Sequence, residues 1–210
     1  MNGWTDGLLI LLVLTNLRLL GTSRLVASIR VVAVQGIVLG ILPLVSGYLH
    51  VPLVAIVSII LKGIVFPWLL MRSLRETKML RELQPFVGYT ASLLVGVLLL
   101  AAALWMSTRL PFELPAGSSL LVPAALFTIM VGLFMIVSRR TAITQVLGYL
   151  SMENGIYAFG MAFSAQEVLL VEMGILLDAF MAVFVMGIAI FHINREFDHI
   201  EVDQLDTLKG

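Results

Sequence analysis

The sequence contains no cysteine and few charged residues, and both shortages limit what the chain can do. Asp, Glu, Lys and Arg make up only 12% of the 210 residues, whereas they are about 25% of a typical soluble domain. Hydrophobic residues make up 60% and the mean hydropathy is +1.06, so the sequence predicts an integral membrane protein. The net charge is zero, so the charge balance does not indicate a nucleic-acid partner.

The absence of cysteine excludes a disulfide and an iron–sulfur cluster held by thiolates of this chain. The histidines, His50, His192 and His199, lie near the ends of predicted helices and lack the spacing of metal ligands. We therefore expect no metal, no cofactor and no redox centre in this chain.

Seven apolar runs, each close to the about 20 residues that a membrane-spanning helix needs, predict an all-α protein with seven spans. Segment 21–30 is amphipathic and is predicted to extend the second helix into the membrane interface. The runs cover 4–20, 31–48, 51–71, 86–106, 119–138, 142–163 and 168–191.

The distribution of Lys and Arg predicts the orientation of these spans. With seven crossings, Arg109 is alone on one side of the membrane, and Lys62 lies inside an apolar run. The other eleven basic residues share the opposite side, which the positive-inside rule places in the cytoplasm. These are Arg18, Arg24, Arg30, Arg72, Arg75, Lys78, Arg81, Arg139, Arg140, Arg195 and Lys209. We therefore expect the N-terminus outside and the C-terminus in the cytoplasm.

The two halves of the chain show a weak internal repeat. In each half, a basic turn is followed by a helix with a polar residue, a short loop, and a helix with a mid-depth charge. Gln35 precedes Lys62 by 27 residues and Glu153 precedes Asp178 by 25. The copies share one orientation, as parallel repeats do; chance similarity of apolar sequences is the alternative. The predicted units are a three-helix unit (1–84), a connecting helix and outer loop (85–118), a second three-helix unit (119–192) and a cytoplasmic tail (193–210).

Three ionisable residues, Lys62, Glu153 and Asp178, lie about ten or more residues inside apolar runs, near the middle of the membrane. A charge there costs at least about 2.5–3.5 kcal/mol, and such residues commonly mark ion pathways. We predict that the three form a proton relay. The alternatives are a structural, protonated Glu153 and a fixed ion pair of Lys62 with Glu153, with Asp178 or with an acid of a neighbouring subunit.

Glu153 and Asp178 are predicted to lie at the same depth, because they are about equally far from the loop that joins their antiparallel helices. Neighbouring carboxylates tend to share a proton, which suits a relay. The secondary candidates are Ser151 and Asn154, which are close to Glu153 in sequence, and Glu172, which is more simply interpreted as an interfacial residue.

Three local features predict structure around these residues. Pro67 follows Lys62 by five residues and has no backbone N–H, so we expect a kink just below the lysine. Gly148 and Gly155 predict close packing of their helix against a neighbour. The basic pair at 139–140 is interpreted as a topology determinant at the cytoplasmic surface.

Segment 139–210 contains Gly148 followed at five residues by Glu153-Asn154, and an acidic residue, Asp178, in the next predicted helix. With these residues, the segment resembles the three-helix NuoK subunit of respiratory complex I and the related C subunit of Mrp-type cation/proton antiporters. The whole chain, with its Lys62 and Pro67, resembles the hydrogenase-4 component E family. Hydrogenase-4-type complexes are membrane-bound group 4 nickel–iron hydrogenases of the formate hydrogenlyase kind. The aspartate at 178 departs from the NuoK pattern, which has a glutamate after a longer separation. The matching positions are Gly148, Glu153, Asn154, Asp178, Val202-Asp203 and Leu208-Lys209-Gly210.

The resemblance implies a non-redox subunit of a proton-translocating complex in a prokaryotic inner membrane. Its partners would be hydrogenase-anchoring and antiporter-like subunits, and the nickel–iron centre and iron–sulfur clusters would belong to other chains. Glu153 and Asp178 would take the places of two NuoK glutamates. The alternatives are a structural spacer that conducts no ions, a subunit of a related Mrp-type antiporter or non-hydrogenase complex, and an independent transporter.

Overall fold

The computed structural model describes residues 3–46, 56, 58–77, 85–110 and 119–162, and this part of the chain is built from helices. A π-helical turn at Leu61–Val65 leads directly into the third α-helix. The seventh predicted run, 168–191, and the tail lie outside the described residues. The α-helices are α1 (Gly3–Gly21), α2 (Leu25–Ser46), α3 (Phe66–Thr77), α4 (Tyr89–Ser107), α5 (Leu121–Ser138) and α6 (Ala142–Met161).

Four of these helices are long and apolar enough to cross a membrane: α1, α2, α4 and α5. Helix α6 is equally long, with 20 residues, but it contains more polar side chains and is outside this group. The prediction of an all-helical membrane protein is therefore confirmed. The number of seven spans and their orientation stay a prediction. Helix α2 begins at Leu25, earlier than the apolar run at 31–48, because the amphipathic segment continues the same helix.

Helices α5 and α6 form a hairpin in which glycines bring the two backbones together. A Cβ atom on Gly132 would lie 2.6 Å from the carbonyl oxygen of Gly148, and one on Gly155 would lie 2.6 Å from the backbone nitrogen of Ile129. A larger residue at these positions would meet backbone that has no rotamer to change. The predicted close packing at Gly148 and Gly155 is confirmed, and it matches the small-residue contacts of membrane helices.

Helix α4 lies at the edge of the described bundle, against α1 and α5. Its outward side chains include Leu94, Leu98 and Trp105, which are more than half exposed. An apolar surface of this kind suits contact with lipid tails or with an apolar partner helix.

Arg139 is buried at the end of the bundle, which differs from its interpretation as a surface residue. Its Nη2 atom donates a hydrogen bond of 2.8 Å to the carbonyl oxygen of Leu20, and its guanidinium lies 4.7 Å from the centre of the Tyr89 ring. The last carbonyls of a helix lack intrahelical donors, so a buried end of α1 needs such a partner. The contact brings the end of α1 and the starts of α4 and α6 to one end of the bundle.

Candidate functional site

Lys62 and Glu153 form a buried ion pair between the π-helical turn and α6. The Nζ atom of Lys62 lies 3.0 Å from the Oε1 atom of Glu153, and the side chains are 6% and 2% exposed. The structure therefore places two of the three predicted relay residues in direct contact, as the ion pair that the sequence analysis gave as one alternative to a relay. The relay itself stays a prediction. Asp178 and the secondary candidate Glu172 lie outside the described residues, so the depth and partners of Asp178 stay predictions.

The π-helical turn carries Lys62 at the place where the proline was expected to disturb its helix. The backbone N–H of Phe66 bonds to the carbonyl of Leu61, five residues earlier, and Pro67 comes next with no N–H to donate. A π-helical turn is one of the ways in which a helix accommodates such an interruption, and these turns are frequent at functional sites. The interruption thus falls where the sequence predicted it, in the form of a wider turn.

A glycine of α2 sets the position of the Lys62 backbone. A Cβ atom on Gly36 would lie 2.5 Å from the Cβ atom of Lys62, and one on Gly63 would lie 2.8 Å from the side chain of Ile37. Because α2 and the π-helical turn are in direct contact here, the lysine backbone has little room to move. Its flexible stem then reaches across to the carboxylate on α6.

Tyr157 and Ser58 belong to the same site, although the sequence analysis did not single them out. The ring centre of Tyr157 lies 5.2 Å from Nζ of Lys62, and Ser58 lies near its hydroxyl. Tyr157 follows Glu153 by four residues, and Ser58 precedes Lys62 by four, so each pair shares one helix face. These matching spacings were the signal in the sequence.

A second buried cluster is polar but uncharged, and it joins α1, α2, α5 and α6. The Nδ2 atom of Asn16 donates to the hydroxyl of Thr128 at 2.8 Å. The Oδ1 atom of Asn16 accepts from Gln35 at 3.0 Å and from Ser151 at 3.1 Å. These four side chains are fully buried, and their hydrogen bonds tie together four helices around Asn16.

The two secondary candidates on α6 have different neighbours. Ser151 bonds to Asn16 and therefore belongs to the uncharged cluster, not to the ion pair. Ser151 and Glu153 are two residues apart. Because an α-helix turns by about 100° for each residue, their side chains lie on different faces of α6. Asn154 is buried and lines a small cavity together with Lys62 and Pro67.

Glu153 is a titratable group that lies next to a cation, and the described part of the site lacks the ligand set of a metal centre. Within the described ranges, no group of three His, Cys, Asp or Glu residues could hold a metal ion. The Oε2 atom of Glu153 makes no hydrogen bond to any described residue, which leaves one carboxylate oxygen open to a proton. Protonation of a buried carboxylate removes its attraction to a neighbouring ammonium group.

Comparison with known protein families supports the membrane-complex interpretation. The family model described as NADH-ubiquinone/plastoquinone oxidoreductase chain 4L matches residues 120–210. An uncharacterized protein of Mycobacterium tuberculosis, Rv0085, is 33% identical over 206 residues, which cover 94% of this chain and 92% of that protein. Hydrogenase-4 component E of Escherichia coli K12 is 36% identical over 102 residues, covering 48% of this chain and 47% of the component.

The C-terminal match includes Glu153 and Asp178, whereas Lys62 lies outside it. The ion pair therefore joins a chain 4L-like segment to the preceding part of the chain. No solved structure matches this chain.

Proposed function

Because this chain belongs to the hydrogenase-4 component E-like family of complex I-related membrane subunits, we propose that it is a non-redox subunit of a complex I-like, proton-translocating group 4 hydrogenase. Its task is to supply buried charged residues to a lateral ion path across the middle of the membrane. The complex is of the formate hydrogenlyase type, and in it this subunit lies next to hydrogenase-anchoring and antiporter-like subunits. The nickel–iron centre and the iron–sulfur clusters belong to other subunits of the complex.

The observation that carries this proposal is the ion pair between Lys62 and Glu153. Two opposite charges are 3.0 Å apart and almost fully buried, inside helices that have the composition of a membrane protein. A buried pair contributes little net stability, because desolvation of the two ions offsets their attraction. A spacer could fill the same volume with apolar side chains, so the charges favour a role in moving ions.

In this mechanism Glu153 takes up and releases a proton, and Lys62 controls when it does so. While the ammonium lies beside the carboxylate, the charged form of Glu153 is favoured. When the ammonium moves away, the apolar surroundings disfavour the charge on the carboxylate, and Glu153 takes up a proton. Asp178 is proposed as the next group along the path. Redox energy released in another subunit drives these changes through the protein contacts.

The test of the subunit assignment is to tag the C-terminus, extract the chain from native membranes in mild detergent and identify what co-purifies. We expect a large hydrogenase-like subunit, iron–sulfur proteins and antiporter-like subunits. Recovery of the chain alone, stable and homogeneous, would contradict the proposal and favour an independent transporter.

The second candidate function is a structural spacer, and the uncharged cluster around Asn16 favours it. That cluster and the glycine contacts of α5 and α6 stabilise the bundle without any charge. A spacer predicts that Glu153→Gln weakens assembly of the complex. The ion-path proposal predicts an assembled complex that translocates fewer protons.

A further inference from the structure

We propose that Tyr157, together with Ser58, forms a second and uncharged position for the Lys62 ammonium, adjacent to Glu153. Tyr157 is then a positioning residue, which holds the lysine close to the carboxylate and receives it when Glu153 is protonated. This inference rests on the function proposed above.

The contacts of the helical residues 58–65, which end in the π-helical turn, with α6 place the four groups in two matched layers. Lys62 contacts Glu153 in one layer, and Ser58 lies near the Tyr157 hydroxyl in the other. Each layer is four residues, or about one helical turn, from the next along its own helix. Since the residue numbers rise on one helix and fall on the other, the two segments run antiparallel. The lysine therefore has its second layer directly beside the first.

The Tyr157 ring already contacts the ammonium in the ion-paired structure, at 5.2 Å from the ring centre. A cation over an aromatic face is attracted by the ring quadrupole, and the attraction is larger where water is excluded. It does not depend on the protonation of Glu153. The ring thus continues to attract Lys62 when the carboxylate has lost its charge.

The hydroxyl groups complete the second position. The Tyr157 hydroxyl is buried and makes no hydrogen bond within the described residues. The nearby Ser58 is also buried, with 5% of its surface exposed. Phenol and serine oxygens accept hydrogen bonds, and an ammonium group donates three. Small rotations of the flexible lysine stem are enough to move its end between neighbouring layers, so the backbone held by Gly36 can stay in place.

The direct test is solid-state NMR of the full-length chain in lipid bilayers, with lysine labelled at Nζ with ¹⁵N and tyrosine labelled in the ring with ¹³C. The chain has three lysines and four tyrosines, and Lys62→Met identifies the Lys62 signal by its loss. We expect this signal to be dephased by the tyrosine label, and the dephasing to be lost in Tyr157→Phe. Tyr149→Phe is the matched control on α6 and should leave it unchanged.

Glu153→Gln imitates the protonated carboxyl group in the same experiment. We expect stronger dephasing of Lys62 by the Tyr157 label, because the ammonium moves towards the ring and hydroxyl. Unchanged or weaker dephasing in Glu153→Gln would overturn the second position. Absence of the contact in the wild-type chain would overturn it as well.

Proton translocation by the assembled complex separates this inference from the function on which it rests. We expect Tyr157→Leu to lower translocation by about tenfold, as a loss of a desolvated cation–π contact implies, and Tyr157→Phe to lower it less because it keeps the ring. Native gels check that both variants assemble. Normal translocation in both, while Glu153→Gln abolishes it, would contradict the inference alone. Normal translocation in Glu153→Gln would contradict the proposed function.

Discussion

The two faces of α6 are built for different purposes. One face carries Gly148, Ser151 and Gly155, which contact α5 and α1 through backbone atoms and one neutral hydrogen bond. The opposite face carries Glu153 and Tyr157, which contact the Lys62 ammonium. One face of α6 is thus packed closely against other helices, and the opposite face carries the titratable group.

Under the proposed function, this difference allows a charge to move inside a well-packed bundle. The glycine and amide contacts contain no titratable group, so protonation of Glu153 leaves them unchanged. They keep α6 in place against α5 and α1. The change in charge then acts mainly on the Lys62 side chain, which is flexible, and on the groups around it. Four variants test this division, in order of the expected size of their effect.

The first variant removes the cation that contacts Glu153. Lys62→Met leaves a buried carboxylate without its ammonium, and breaking one partner of such a pair costs up to about 3–5 kcal/mol. The double variant Lys62→Met with Glu153→Gln should recover part of this stability, because it removes the unpaired charge as well. Thermal unfolding followed by size-exclusion chromatography measures both. Equal stability of the single and double variants would show that the pair is not coupled.

The second variant fills the space between α5 and α6. A methyl group from Gly155→Ala would lie 2.6 Å from the backbone nitrogen of Ile129, and overpacking of this kind costs about 1–3 kcal/mol. Gly7→Ala is the matched control, since a Cβ atom there has no atom within 4 Å among the described residues. We expect a lower unfolding temperature for Gly155→Ala and a wild-type value for the control. Equal values would contradict the close packing of the hairpin.

The third variant removes the centre of the uncharged cluster. Asn16→Leu eliminates three hydrogen bonds between helices, to Thr128, Gln35 and Ser151. At about 0.6 kcal/mol for each bond in a membrane protein, the loss is about 2 kcal/mol. We expect lower thermal stability and an unchanged number of protons translocated for each electron pair. A selective loss of translocation would place the cluster in the ion path.

The smallest effect is expected for Ser151→Ala, which removes one hydrogen bond, worth about 0.6 kcal/mol. Ser151 lies only two residues from Glu153 but on the other face of α6, so translocation should be normal. A strong loss of translocation would show that the two faces do not act separately.

The sequence predicted the residues of the ion pair better than it predicted their contact. Lys62 and Glu153 stand out because long apolar runs surround them. Their partners depend on how the helices rotate and tilt in the bundle, and Lys62 had Asp178 and a neighbouring subunit as equally reasonable alternatives. The polar cluster was missed for the same reason. Asn16 and Thr128 are far apart in sequence and have no spacing rule that joins them.

Local backbone features were predicted in position but not in form. The apolar run at 31–48 begins after the start of α2, but segment 21–30 was predicted to extend this helix, and α2 begins within that segment, at Leu25. Pro67 indicated an interrupted helix, but the lack of one N–H does not determine whether the chain kinks or forms a π-helical turn. The glycines Gly148 and Gly155 were more informative, since small residues in an apolar helix favour close packing against a neighbouring helix.

The most direct test of the central claim is proton translocation by the complex that contains Glu153→Gln, measured in inverted membrane vesicles and normalised to electron transfer. Ser151→Ala is the control from the other face of α6, and native gels verify assembly. The account predicts an intact complex in which electron transfer continues while translocation falls to background. Normal translocation for each electron pair would contradict it and remove Glu153 from the ion path.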